Sequence, residues 1–353
     1  MRLRKDSVDM TREQIFSRLN SLPENPQSVL LLTHTDLDGV GCAVLTSAAF
    51  SSSRVDVRHC GNATMSSDIL FALNDHMYDY DLILATDISL SEADAVKADK
   101  LIHDNFLLLD HHPTAMHLNT YSWACVYGDS IEDSLRAKYY DKNDSWHTSA
   151  AGLLFDYIDY NKFACVSEHP LLTEFAYMVS AYDTWDWKNT SCVKDGIADL
   201  NTLCYLYGFS RFERAMGLRI ASGESLFLPI DNALLEFEHD RTEAYIAKLR
   251  DSIITGTICI DGRDYTYAGC ISTTLVSAVF EYLREYYDCD VYLVNTGTSI
   301  SMRTNTDIDL ATIAKSFNGG GHKAAAGFPI PLAEQKHLLE LPFCRDTKTA
   351  IFS

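Results

Sequence analysis

Phe106-Leu107-Leu108-Leu109-Asp110-His111-His112 is an apolar run that stops on one acid and two imidazoles. Four hydrophobic residues bounded by polar ones read as a buried strand of a parallel sheet, whose two faces are both covered. The pattern recurs twice upstream. Val29-Leu30-Leu31-Leu32 runs into His34-Thr35-Asp36-Leu37-Asp38-Gly39, and Leu82-Ile83-Leu84-Ala85 is followed by Thr86 and Asp87. A further acid, Asp183, stands in Tyr182-Asp183-Thr184-Trp185, at the end of a helical stretch. In open α/β sheets the carboxyl ends of the strands line one crevice, and ligands bind there. Acids and imidazoles gathered at that edge point to a metal site suited to phosphate.

The surrounding sequence alternates strand and helix. Strands are expected at 28–33, 54–59, 81–86 and 105–109, with helices at about 40–50, 67–76 and 92–100. Such alternation implies right-handed βαβ units and a parallel sheet. Two helices, 149–160 and 168–182, follow, the second delivering Asp183. From 188 to 229 the pattern loosens around Asn-Thr, Lys-Asp-Gly and Ser-Gly-Glu punctuation, a connection between domains with room for short helices of its own. A long helix is expected at 232–253, then strands at 256–260 and 265–270, a helix at 275–287, strands at 290–294 and 299–303, and a helix at 310–317. The expected organisation is α/β throughout: an N-terminal parallel-sheet domain (1–187), a linker (188–231) and a smaller C-terminal α/β domain (232–353).

Bulk properties narrow the function. A chain of 353 residues is long enough for two cores. Its net charge of −20 argues against gripping long nucleic acid by a broad basic surface, since phosphate contacts dominate that affinity. An anionic substrate held by metal ions and a few local cations is compatible with that charge. The ten cysteines show no zinc-type spacing and read as buried small hydrophobes in a reducing compartment. The charged start, Met1-Arg2-Leu3-Arg4-Lys5-Asp6, does not read as a secretory leader, and no stretch reaches the roughly 18 apolar residues of a membrane span. The expected location is cytoplasmic.

Carboxylate oxygen suits hard divalent cations, and imidazole shifts a mixed site toward Mn²⁺ or another transition metal. Two cations need a shared ligand, and Asp87, alone at its strand end, is the candidate bridge. Asp36 and Asp38, two residues apart, would share a face in an extended strand, whereas in the loop after a strand each could serve a different metal, and His111 and Asp183 could complete the second. Singly, each has an ordinary reading: a helix cap, a strand-end cap, an ion pair with Lys188, a structural histidine. Together at successive strand ends they favour a metal site. His59, His76, His103, His117, His147, His169, His239 and His337 lack that context and read as surface or core. In the C-terminal half, Gly319, Gly320 and Gly321 offer a backbone anion nest, His322 and Lys323 add donors, and Arg303 at a strand end can hold phosphate bidentately.

In this order (His-x-Asp-x-Asp-Gly, Asp87, Asp110-His111-His112, Asp183, Arg303, Gly-Gly-Gly-His) the motifs resemble the DHH/DHHA1 phosphoesterases over nearly the whole chain. Within that family the run through His34 and Cys42 is most similar to oligoribonucleases of the nanoRNase B type. The resemblance implies a catalytic DHH domain and a DHHA1 domain facing each other across a cleft. It implies that His34, Asp36 and Asp87 hold one Mn²⁺ and that Asp38, Asp87, His111 and Asp183 hold the other, with Mg²⁺ or Co²⁺ as alternatives. It further implies that Asp110 orients His111, that His112 faces the scissile phosphate, and that Arg303 and His322 grip substrate. One departure is that His34 stands two residues before Asp36, where many members place the histidine four before.

The expected activity is hydrolysis of short oligoribonucleotides to mononucleotides by hydroxide activated between two metal ions. Alternatives are a 3′-phosphoadenosine 5′-phosphate phosphatase, a cyclic or linear dinucleotide phosphodiesterase, a pyrophosphatase, or a catalytically silent nucleotide-binding regulator. The expected partner is short RNA or a small nucleotide, with no membrane; a homodimer rests on family analogy alone. The aromatics of 182–187 and the pair Tyr205 and Tyr207 read either as base-stacking surfaces or as packing.

Overall fold

The computed structural model describes residues 10–19, 23, 25–128, 131–132, 147–189, 196–260 and 262–340. They fall into two compact units, Met1–Leu235 and Glu236–Ser353.

The first unit is built on five parallel strands: β1 (Ser28–Thr33), β2 (Arg54–His59), β3 (Leu82–Thr86), β4 (Phe106–Asp110) and β5 (Ala124–Val126). Their order across the sheet is β2-β1-β3-β4-β5. Alternate residues of the apolar runs point to opposite faces, and both faces are covered. Val29, Leu31, Leu82, Leu84, Leu107 and Leu109 enter one core, which also holds helices α1 (Leu37–Ala49), α4 (Ala150–Tyr160) and α5 (Pro170–Asp183). Leu30, Leu32, Ile83, Ala85, Phe106 and Leu108 enter the other, beneath α2 (Met65–Asp75) and α3 (Glu92–Ala98). Continuous rather than alternating hydrophobicity is what a sheet buried on both sides requires. Strand order reverses between β1 and β3, so the crevice of this fold opens where His34 to Asp38 and Asp87 emerge.

Two differences from expectation have physical reasons. β5 was not anticipated, because three residues after a short 3₁₀ turn (Pro113–Thr120) are too few to display a period. Residues assigned to a linker are largely helical core of the first unit: α6 (Ile197–Tyr207) and α7 (Phe209–Ser222) bury Leu200, Leu203, Cys204, Phe212, Met216 and Ile220 in the core that also holds α1. Gly208, at φ 71°, joins the two helices directly, so the break in pattern marks a turn between packed helices rather than a connection between domains. The next helix, α8 (Pro229–Leu249), opens with buried Asp231, paired with buried Arg219 at 2.8 Å.

The second unit carries a mixed sheet of six strands: β6 (Ile254–Ile260), β7 (Arg263–Ile271), β8 (Val291–Asn295), β9 (Ser299–Arg303), β10 (Gly320–His322) and β11 (Ala325–Pro329), ordered β10-β11-β9-β8-β7-β6. Only β7 and β8 pair in parallel. Helix α9 (Val276–Tyr286) sets Val279, Phe280 and Leu283 against one face, and α10 (Leu310–Ser316) sets Leu310 and Ala314 against the other. The glycine run is therefore partly strand: Gly321 pairs with Ala326 at φ 132°, and a Cβ there would meet the Ala325 carbonyl oxygen at 2.5 Å. Among the described residues no helix is long and apolar enough to cross a membrane, and Cys42, Cys60, Cys125, Cys165, Cys204 and Cys270 are buried free thiols.

Candidate metal centre

The site starts with the turn from β1 into α1. Asp36 caps α1, accepting a hydrogen bond from the Gly39 amide at 3.1 Å. A Cβ at Gly39 would collide with the His34 carbonyl, so the tight turn that exposes His34, Asp36 and Asp38 requires glycine. Thr33 Oγ1 donates to the Gly39 carbonyl at 2.9 Å and accepts from Thr86 Oγ1 at 2.9 Å, tying the ends of β1 and β3 together inside the protein.

Asp38 is buried in the first turn of α1. Ser149 Oγ (2.6 Å), the Ala150 amide (2.8 Å) and the Ala151 amide (2.9 Å) all donate to its carboxylate at the N-terminus of α4, where the helix dipole favours an anion. Asp87 leaves β3 at φ 58°, in the left-handed region that side chains other than glycine rarely occupy. Its amide donates to the Leu109 carbonyl at 3.0 Å. Such strain persists where the surrounding structure holds it, and here it delivers a carboxylate into the crevice.

These elements converge. His34 Nδ1 lies 2.7 Å from Asp36 Oδ2 and 3.8 Å from Asp87 Oδ2. His111 Nε2 lies 3.4 Å from Asp183 Oδ2, 3.5 Å from Asp87 Oδ1 and 3.8 Å from Asp38 Oδ2. Three donor groups result, each with its ligand atoms within 4.8 Å of one another: His34, Asp36 and Asp87; Asp38, His111 and Asp183; and Asp87, Asp110, His111 and His112. Asp87 belongs to two of them, with Oδ1 toward His111 and Oδ2 toward His34. Asp110 places Oδ1 against the His112 ring at 2.8 Å and the His111 amide at 2.8 Å, so its side-chain partner is the ring of His112, not that of His111.

The electrostatics favour a bound cation. Asp87 Oδ2 is buried and accepts no hydrogen bond among the described residues. Burial, then the charges of Asp36, Asp38 and Asp183, push the Asp87 carboxyl well above its ordinary range; burial and Asp38 do the same to Asp183. Burial also raises Asp38, outweighing the pull of His111. Burial would raise Asp36 too, but the His34 hydrogen bond and charge hold it at about 2. Burial disfavours a charged His112, yet its bond to Asp110 lifts it to about 9. Burial lowers His111 and leaves it a neutral donor. Buried carboxylates with an unsatisfied oxygen are costly unless a metal takes their lone pairs. Carboxylate oxygen with imidazole nitrogen is a donor set that fits Mn²⁺.

Sequence reading passed over His59. Its ring closes on the back of the His34 turn, with Nδ1 2.9 Å from the His34 carbonyl oxygen and Nε2 2.7 Å from Glu213 Oε1. It ends β2 just as the expected ligands end their strands, and that position was the available signal.

In the second unit Arg303 ends β9 with its guanidinium 4.8 Å over the Phe280 ring and Nη1 donating to the Met302 carbonyl at 2.9 Å. Burial and the nearby Arg284 lower its pKa, and among the described residues it forms no ion pair with a carboxylate. Gly319 donates to the Ala314 carbonyl at 2.8 Å, and His322 is described through its backbone only. Of the aromatics, Tyr207 donates to Asp231 and so serves packing, while Tyr205 is exposed.

Residues 265–341 match the DHHA1 domain family. The chain is 26% identical over 313 residues to oligoribonuclease NrnB of Bacillus subtilis strain 168, covering 85% of this chain and 72% of that protein. The chain thus carries a DHHA1 domain at 265–341 and is similar over most of its length to a DHH-family oligoribonuclease. A solved DHH domain, described as coming from a member of a ribosomal-protein family, shares the fold of this chain with a TM-score of 0.54 at 13% identity, covering 92% of this chain and 86% of that one. A structure of exonuclease RecJ bound to manganese aligns with a TM-score of 0.48 at 13% identity, covering 90% and 89%.

Proposed function

We propose that this protein is a metal-dependent phosphodiesterase that hydrolyses short oligoribonucleotides to mononucleotides. The observation that carries the reading is Asp87: a buried carboxylate shared by two donor groups, with one oxygen left without a hydrogen bond. The similarity to the Bacillus oligoribonuclease supports the substrate class. His34, Asp36 and Asp87 would hold one Mn²⁺, and Asp38, His111 and Asp183 the other, with Asp87 Oδ1, 3.5 Å from His111 Nε2, as the shared ligand; Mg²⁺ or Co²⁺ would suit the same donors. When bound, two such cations lower the pKa of water and neutralise charge on a phosphoryl group.

The chain's own residues do the rest. Three donors around Ser149 pin Asp38 in one orientation. Asp110 pins the His112 ring, which donates to a phosphoryl oxygen of the substrate. In the second unit, Arg303 and the segment from Gly319 to His322 offer donors suited to phosphate. A net charge of −20 favours a substrate with few phosphates.

The test is product analysis of an end-labelled RNA pentamer incubated with the protein and Mn²⁺, beside an Asp110→Ala, His111→Ala double variant. Stepwise loss of mononucleotides by wild type, reduced at least about 100-fold in the variant, is expected. An untouched pentamer, or equal cleavage by the variant, overturns the reading.

A further inference from the structure

Beyond the ligand groups, a chain of contacts reaches the metal centre from the outside of the first unit. Glu213, on α7, places Oε1 2.7 Å from His59 Nε2. The opposite ring nitrogen, Nδ1, lies 2.9 Å from the main-chain oxygen of His34. His34 in turn places Nδ1 2.7 Å from Asp36 Oδ2. A carboxylate and a carbonyl only accept hydrogen bonds, so both ring nitrogens of His59 must donate. Phe209 covers the ring, with centroids 5.1 Å apart and planes tilted by 48°, and the side chains of His59 and Glu213 are mostly shielded from solvent. Neither His59 nor Glu213 belongs to a ligand set: His59 offers no lone pair to a cation while it donates twice.

Its position explains what it does. The turn from β1 into α1 must hold the His34 carbonyl against Gly39 while it aims the His34 ring at Asp36 and Asp87. The cap bond of Asp36 and the Thr33 hydroxyl fix the far side of that turn. On the near side, the His34 carbonyl is gripped by His59. Groups outside the ligand set commonly orient ligands, and losing one costs about 10- to 100-fold in metal affinity.

We propose that His59, anchored by Glu213, is a positioning residue that holds the His34 turn in its metal-binding geometry and so sets the affinity of the His34–Asp36–Asp87 group for its cation. This rests on the metal reading of the cluster given above. It predicts an asymmetric defect, because among the described residues the hydrogen bonds of His59 run to His34 and Glu213 and not to Asp38, His111 or Asp183.

The experiment is calorimetric titration of metal-free protein with Mn²⁺ alone, with thermal melts of each protein in parallel. Wild type, His59→Phe, Glu213→Ala and Glu213→Gln are compared. Phenylalanine keeps a ring against Phe209 but removes both donors, and glutamine keeps an acceptor for His59. The expected result is two binding events in wild type. One of them weakens about 10- to 100-fold in His59→Phe and Glu213→Ala, the other stays within about threefold, and Glu213→Gln recovers most of the loss. Unchanged affinities in both variants, or equal weakening of both events together with a lower melting temperature, overturn the proposal while leaving the metal centre intact. Absence of Mn²⁺ binding by wild type overturns the metal reading and this inference with it. Should His59→Phe fail to fold, the two Glu213 variants decide the matter.

Discussion

Asp87 concentrates the energetics of the site in one side chain. It lies buried among Asp36, Asp38 and Asp183 with one oxygen unsatisfied, so its charge works against the metal-free fold and in favour of a bound cation. Asp87→Asn is expected to stabilise the metal-free protein by about 1–3 kcal/mol, the usual scale for an unsatisfied buried polar group. The same change should abolish the stabilisation of about 2.7 kcal/mol that Mn²⁺ at 100 times its Kd would give wild type. Melts with and without Mn²⁺ check both; a variant less stable than wild type without metal, or equally stabilised by it, would count against a ligand role. Asp36, Asp38, Asp87 and His111 were legible because a polar residue that ends a fully apolar strand must emerge at the sheet edge. His59 was equally placed, but β2 alternates Val55 and Val57 with charged residues, so its end drew no notice. That Asp110 would hold the His112 ring rather than that of His111 is a matter of side-chain rotation, which no spacing records.

At the scale of elements, the strands of the first sheet were readable to within a residue or so, since burial on both faces leaves an unbroken apolar run. What escaped were short or atypical pieces. β5 is three residues long, the Gly320–His322 strand has no side chains at two of its positions, and α6 and α7 follow punctuation that looks like a linker. The pair of Arg219 and Asp231 shows why the last were misread: the apolar faces of these helices are completed by a buried ion pair that sequence alone does not match up. Arg219 also donates to the Leu226 carbonyl at 2.7 Å, and Asp231 accepts from the Leu228 amide at 2.6 Å. Burial opposes ionisation of Asp231, yet hydrogen bonds from Tyr207, Leu228 and Arg219 hold its pKa below the ordinary value. A depressed carboxylate stabilises the fold above its unfolded pKa and ceases to do so as pH falls through the folded one. Stability of the first unit should therefore drop on acidification below about pH 4, and less steeply in Asp231→Asn. At neutral pH that variant should lose about 3 kcal/mol, because Arg219 stays buried with a neutral partner. Urea unfolding at pH 7 and across pH 5 to 3 reads both; an unchanged midpoint at pH 7 would show that α6 and α7 do not depend on the pair.

For the whole molecule, the proposed activity and the acidity are compatible, because some of the carboxylates that make the chain acidic gather at one place that could hold cations. The net charge of −20 was legible at once; that several of those charges converge on Asp87 is a consequence of strand order, since β1 and β3 are adjacent and the strand order reverses between them. The second unit supplies an arginine with no carboxylate ion pair among the described residues and a glycine strand, both suited to phosphate. The most direct measurement is anomalous diffraction from crystals of the protein soaked in Mn²⁺. Two peaks are predicted, one contacted by His34, Asp36 and Asp87 and the other by Asp38, Asp87, His111 and Asp183, with Asp87 common to both. A single peak, or two that do not share Asp87, would contradict the two-metal centre.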